Sequence, residues 1–249
     1  MRLPLIFLFL TSFLCASAQT EDDSFSLGII GGVSTTWLIN KNTFNAGEEV
    51  NVNTTFGGNL GISGLYSFNN AAGVYLALLY SGHNQSYRGE IIPEISFENK
   101  IKLIYLDMPV LFRLQSKKGS YFELGPQLSI LMSAKENFTS SPNSGLNRED
   151  YKNKDFRENF DNTNISAVLG FGFDFDASEV IMVSTGLRFG YSFTDVTKEF
   201  SETEMALLET ANQLSYTSIL SHQAENNVFK YEPTTRFFGG LRVGVAYRL

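Results

Sequence analysis

Eight stretches of the chain alternate bulky apolar residues with small or polar ones, the two-residue period of a strand whose faces meet different surroundings. The clearest runs from 164 to 176. Ile165, Ala167, Leu169, Phe171, Phe173 and Phe175 share one face; Asn164, Ser166, Gly170, Gly172, Asp174 and Asp176 share the other, with Val168 the exception. Stretch 180–193 sets Ile181, Val183, Leu187, Phe189, Tyr191 and Phe193 against Ser184, Gly186, Arg188, Gly190 and Ser192. Stretch 236–249 sets Phe237, Leu241, Val243, Val245, Tyr247 and Leu249 against Arg236, Gly240, Arg242, Gly244 and Arg248. Stretch 121–130 opposes Phe122, Leu124, Leu128 and Ile130 to Tyr121, Glu123, Gln127 and Ser129. Weaker alternations lie at 25–34, 60–68, 74–81 and 104–113. The last carries Asp107 and Arg113 on its polar face together with Pro109, whose missing ladder donor predicts a bulge or bend.

Alternation alone does not say which face is wet. The composition of the second face decides it. A water-exposed face would be rich in Lys, Glu, Thr and Gln, whereas this one is mostly Gly and Ser with isolated charges. Small residues and a few opposite charges suit the narrow lumen of a closed eight-stranded barrel. The bulky face then points outward, and only hydrocarbon tolerates so much exposed Phe and Leu. Connections add an independent argument. Short turns at 69–73, 116–119 and 176–179 alternate strictly with long polar segments at 38–56, 83–100, 134–163 and 194–233. That asymmetry predicts short periplasmic turns and long extracellular loops. The expected fold is all-β: an eight-stranded antiparallel up-and-down transmembrane β-barrel. Phe68, Phe122, Phe175 and Tyr247 would ring the periplasmic rim, and Trp37, Tyr80, Phe193 and Phe237 the outer one.

The first residues change the picture only in location. Arg2, the apolar run Leu3 to Leu14 and Ala16-Ser17-Ala18 read as a signal peptide over 1–18, cleaved before Gln19, with the barrel domain over 19–249. The apolar run is too short to span a bilayer as a helix. Such cleavage would discard Cys15, leaving neither a disulfide nor thiol chemistry. The net charge of −7 would become −8, from 18 basic and 26 acidic residues. An acidic chain without a basic stripe makes nucleic acid an unexpected partner.

Nine charges fall on the lumen face: Asp107, Glu123, Asp174 and Asp176 against Arg113, Arg188, Arg236, Arg242 and Arg248. In a narrow, partly dry interior they must pair, because an unpaired buried ion is costly. They predict a structural salt-bridged plug, with a conducting or proton-relay lumen as the alternative. In the last loop Ser201 and Glu204 form a capping-box pattern ahead of Met205, Leu207, Leu208, Ala211, Leu214, Ile219 and Leu220, predicting one short amphipathic helix that covers the barrel mouth or docks a partner. No metal, cofactor or catalytic site is expected. The two histidines, His83 and His222, fall in loops by this reading, and no ligand spacing surrounds them. A lipid-modifying enzyme would need Ser, His and an acid on the barrel wall, for which Ser81 or Ser86 beside His83 is the available combination.

The stretch Tyr105-Leu106-Asp107-Met108-Pro109-Val110-Leu111-Phe112-Arg113-Leu114, its polar turn and Tyr121-Phe122-Glu123-Leu124-Gly125-Pro126 resemble the central hairpin of the PorT-like outer-membrane β-barrel family of Bacteroidetes. Gly186 to Asp195 is similar to that family's penultimate strand entering its last loop, and the Ala18-Gln19 junction to signal cleavage sites of that phylum. The resemblance implies an eight-stranded outer-membrane barrel without a catalytic motif. It also implies a place near protein secretion, since the founding member serves a multi-component export machine. The long last loop and Leu249, where many barrels carry an aromatic, depart from the pattern. The expected partners are outer-membrane lipid and secretion-machinery or surface proteins reached through the extracellular loops. A narrow pore, a lipid-modifying barrel enzyme and a soluble periplasmic barrel are the competing readings.

Overall fold

The computed structural model describes residues 24–45, 50–92, 95–141, 150–222, 224–225 and 228–249; the predicted signal peptide lies outside them. Eight long strands make the wall: β1 (Ser24–Ile39), β2 (Phe56–Asn69), β3 (Ala72–Ile92), β4 (Ile95–Gln115), β5 (Ser120–Ser140), β6 (Thr163–Asp176), β7 (Ile181–Ser192) and β8 (Thr235–Arg248). Each pairs antiparallel with its neighbours in sequence. β8 returns to β1 over Ser26↔Arg248 to Ile39↔Thr235, which closes the ring. Closure satisfies the backbone polar groups between strands, which is what lets a sheet cross hydrocarbon.

Tight turns join β2–β3, β4–β5 and β6–β7, each with local chemistry to match. The Asn69 side chain accepts from the amides of Ala71 (2.8 Å) and Ala72 (2.9 Å). Gly119 sits at φ +87°, and a Cβ there would lie 2.3 Å from the Asp174 carbonyl oxygen, so this turn requires glycine. Ser178 Oγ accepts from the Ile181 amide (3.0 Å).

Side-chain orientation follows the alternation. Leu27, Ile29, Leu60, Ile62, Leu76, Val110, Phe112, Leu124, Leu169, Phe171, Phe173, Phe175, Leu241, Val243 and Val245 are all exposed on the outer surface. Val168 breaks the sequence pattern because it faces the lumen, packing with Ile30, Leu65, Tyr75, Leu79, Leu111, Met182 and Phe238. Trp37 and Phe237, directly opposite in register, pack at 5.5 Å between ring centroids near the outer rim.

Four expectations are corrected here. Segment 83–100 is largely not a loop: β3 and β4 run on through it as a hairpin, and β3, β4 and β5 reach 21 residues each. A tilted strand crosses a bilayer in about 9–11 residues, so these three project well beyond it. Segment 134–163 likewise contains the end of β5, a short strand Tyr151–Asp155 paired with it and a 3-10 turn Arg157–Asn159. Pro109 removes pairings to Ala77 and Leu78 without shifting the register, so no bulge forms at it; the register shift lies at Ile104/Tyr105, where Met132 is the extra residue on β5. The last loop holds two helices, not one.

The projecting wall inverts the barrel's polarity. Along β4 the outward residues are Leu114, Phe112, Val110, Met108, Leu106 and Ile104, then Lys102 and Lys100. Inside, Arg113 and Asp107 give way to Tyr105, Leu103, Ile101 and Phe97, which join a second core with Leu38, Tyr87, Leu131, Phe138, Phe156, Phe160, Val196 and Leu220. Below the boundary the outer wall is apolar and the centre carries buried charges beside the Val168 cluster; above it the outward residues turn to lysine and the centre is mainly apolar, with Glu136, Asn99 and Gln85 buried in it.

Candidate functional site

The lumen is occupied by two polar layers. In the lower one Arg113 and Glu123 are direct cross-strand partners. Arg113 donates to Glu123 Oε1 through Nε (3.0 Å) and Nη2 (2.5 Å), and to Asp174 Oδ2 through Nη1 (2.9 Å). Glu123 Oε2 accepts from Arg188 Nη2 at 2.7 Å. The reach is possible because Gly170 stands between Glu123 and Arg188 in the ladder. A Cβ on Gly170 would lie 2.9 Å from Glu123 Oε2. Arg113 stacks on Tyr121 (3.9 Å to the ring centroid), while Tyr75 lies 5.1 Å from Arg113 and 4.9 Å from Arg188. Two cations and two carboxylates, all buried, thus neutralise one another.

The upper layer is less evenly matched. Asp107 Oδ2 lies 3.1 Å from His83 Nε2, and Thr36 Oγ1 lies 3.0 Å from His83 Nδ1. Arg236, 0% exposed, donates from Nη2 to Ser129 Oγ (2.8 Å) and lies over Tyr105 at 4.4 Å. Arg242 Nη1 donates to Asn59 Oδ1 (3.1 Å). Asp176 and Arg248, expected in the lumen, instead pair at the periplasmic rim, at 2.5 Å, with the Asp176 side chain 63% exposed. From that rim a cavity of about 460 Å³, lined by Ser67, Asn70, Gln115, Asp174, Asp176 and Arg248, enters the barrel. A second, much smaller cavity of about 20 Å³ lies beside Tyr75, Arg113 and Met182.

Sequence reasoning does not find His83 as a lumen residue, because its segment reads as loop; Asn59 stands one step before the 60–68 alternation, in phase with Gly61 and Ser63. Ser81 and Ser86 are buried like His83. None of these three side chains is exposed on the barrel wall.

The outer end has its own closure. Helix α1 (Lys41–Asn45) follows β1; the last loop carries α2 (Glu202–Thr210) and α3 (Tyr216–Ser221). The capping box at Ser201 and Glu204 forms as the sequence indicates, but α2 buries no residue and leaves Leu207 66% exposed. The apolar residues that do bury, Leu214 and Leu220, lie in and before α3. Tyr216 packs against Tyr87 (5.6 Å) and Phe97 (5.2 Å), and its amide donates to Glu136 Oε2 at 3.1 Å. Asn42 Nδ2 donates to the Leu220 carbonyl (3.0 Å), tying α1 to α3. Asp195 anchors the strand side: Oδ1 accepts from the amides of Thr197 (3.0 Å) and Thr234 (2.9 Å), and Oδ2 accepts from the Tyr231 hydroxyl.

His222 fixes this cap in one protonation state. A backbone amide can only donate, so Nε2 accepts from Phe200 N–H (2.9 Å) and Nδ1 donates to the Ser218 carbonyl (2.7 Å). Burial lowers its pKa below 6.5, against the opposing pull of the Ser218 carbonyl, Glu199 and Asp195; the ring packs on Tyr231 and Phe200. A base with a depressed folded pKa contributes stability that is full above the unfolded value and lost as pH falls. The amides of Phe200 and His222 are therefore expected to exchange with solvent deuterium faster at pH 5 than at pH 7.5, relative to amides of β6. A His222→Gln chain should lose most of this difference; equal protection at both pH values would contradict the assignment.

A family model described as an outer membrane protein beta-barrel domain matches residues 17–198. Similar solved structures include Neisserial surface protein A (14% identity over 90% of this chain and 99% of that one, TM-score 0.34). They also include Ail, the attachment invasion locus protein of Yersinia pestis, in complex with the heparin analogue sucrose octasulfate (11% identity, 90% and 99%, TM-score 0.34). A third is the outer membrane protein OprG from Pseudomonas aeruginosa (11% identity, 92% and 96%, TM-score 0.37). No curated protein matches the sequence.

Proposed function

Because the chain belongs to the outer membrane protein beta-barrel domain family, we propose that it turns over no substrate. Instead it acts as a sealed barrel that holds a folded platform at the cell surface for a partner protein, as an accessory to protein secretion. Its place is the bacterial outer membrane. The observation that carries the reading is the double closure of the lumen: the Arg113–Glu123–Asp174–Arg188 cluster below and α3 packed on Tyr87 and Phe97 above. An eight-stranded barrel leaves room for side chains and little for solute. Above the closure, α2 stands exposed with Leu207 bare, a segment that a partner can grip.

One preparation tests both halves. Reconstituted in planar bilayers, the protein is expected to give no discrete conductance steps; steps would make it a narrow pore. A chain with 202–210 replaced by a glycine–serine link should still fold and still be silent, yet lose secretion-machine components that the parent chain retains from gently solubilised outer membranes. Recovery of the same components by both chains, or by neither, would overturn the platform role.

A further inference from the structure

We infer that the outward face of β4 and β5, just above the apolar belt, is a binding ridge for the phosphate groups of an outer-leaflet glycolipid. This rests on the protein's place in the outer membrane and is independent of any partner held by α2.

Two like charges face each other across the β4–β5 ladder. Lys102 on β4 and Lys135 on β5 are directly opposite in register and both exposed. Their inward neighbours Ile101, Leu103, Ala134 and Glu136 are fully buried, so both ammonium groups lie on the outer surface. Like charges at directly opposed positions repel. Among the described residues neither lysine has an ion pair, although Asp155 stands opposite Lys135 in the register. Glu98, the nearest acid along the outward row of β4, is taken by Arg88 (2.7 Å) and Lys100 (2.8 Å). Asp155 is the other register neighbour of Lys135, but its Oδ1 accepts from the Arg157 amide (2.9 Å) and it makes no ion pair with the lysine.

Position supplies the second argument. The outward residue next below Lys102 on β4 is Ile104, the first of the apolar belt. On β5 the step below Lys135 reaches Ser133 and the extra residue Met132, 53% exposed. Arg157 adds a third cation at this level, its Nη2 donating to the Leu131 carbonyl at 3.2 Å. In a chain of net charge −7 these cations sit together at the height where hydrocarbon ends. A headgroup phosphate is the anion a bilayer presents there. Two ammonium groups across a strand pair can share its oxygens while the acyl chains lie along Ile104, Leu106 and Met132.

The test compares lipid retention by native mass spectrometry. The parent chain, a Lys102→Gln/Lys135→Gln chain and a Lys152→Gln control are purified in mild detergent. Each is mixed with bisphosphorylated lipid A, dephosphorylated lipid A or phosphatidylglycerol. The parent and the control are expected to retain bisphosphorylated lipid A about tenfold better than the double variant, as two cations near an anionic headgroup permit. Dephosphorylated lipid A should bind all three chains alike and weakly. Heat-modifiable migration on gels, unchanged across the chains, verifies that each barrel is folded. Equal retention by parent and double variant would overturn the ridge. Retention of phosphatidylglycerol as strong as that of lipid A would overturn the glycolipid assignment.

Discussion

Replacing Glu123 with leucine is expected to destabilise the barrel by about 3–5 kcal/mol, the range for removing one partner of a buried ion pair. Glu123 is the carboxylate shared by two arginines, Arg113 at Oε1 and Arg188 at Oε2. Without it Arg113 keeps Asp174, but Arg188 keeps no carboxylate, and Arg188 Nη1 already lacks a hydrogen-bond partner among the described residues. Asp174→Asn should cost less, since Arg113 retains Glu123 and Asp174 lines the cavity that opens at the periplasmic rim. Exposure at the rim makes Asp176→Asn nearly neutral. The decisive comparison is Glu123→Leu with Arg188→Met in one chain: removing both charges should restore most of what the single change loses, because apolar replacements of a whole buried pair are often neutral. Urea unfolding in detergent micelles, followed by tryptophan fluorescence and gel migration, gives the ranking. A single variant within 1 kcal/mol of the parent, or a double variant no better than the single, would show that the cluster does not behave as a buried ionic unit.

The same cluster marks where sequence reasoning succeeds and where it stops. Arg113, Glu123, Asp174 and Arg188 were legible as lumen residues because each stands in a run of constant alternating phase. Their partnerships were not, because the reach of Glu123 to Arg188 depends on Gly170 lying between them in a register that no single strand reveals. The larger omission is the projecting wall. From 95 to 103 the apolar residues Ile95, Phe97, Ile101 and Leu103 hold odd positions, while from 104 to 112 Ile104, Leu106, Met108, Val110 and Phe112 hold even ones. The backbone of β4 stays extended through this change. What changes is the solvent, so one strand carries two opposite patterns and the upper half reads as polar loop. His83 reads as a loop residue for the same reason, which hides the partner of Asp107. In the last loop the capping box fixed the start of α2 correctly. The apolar residues beyond it belong to a second helix, and only tertiary packing on Tyr87 and Phe97 shows which turn buries.

A phase change that tracks the solvent also yields the second large effect. Leu169 stands mid-way along the outward row of β6, with Leu124 and Phe189 as its cross-strand neighbours. Each of those lies outward too. Arginine at this depth has no lumen to enter, because Val168 and Gly170 hold the inward positions. Leu169→Arg is therefore expected to cost about 2–4 kcal/mol, the midplane value for a lipid-facing cation on a barrel. At the periplasmic end of the same row, Phe175→Arg should cost only about 0–1 kcal/mol, since its side chain can reach headgroups and water. Above the belt, Lys102→Leu should not show a comparable penalty, because that position already faces the aqueous side of the boundary. Reversible unfolding in phospholipid vesicles, with the three chains side by side, measures the depth profile directly. If Leu169→Arg is no more costly than Phe175→Arg, the apolar belt does not sit in hydrocarbon at the height set by Lys102 and Ile104.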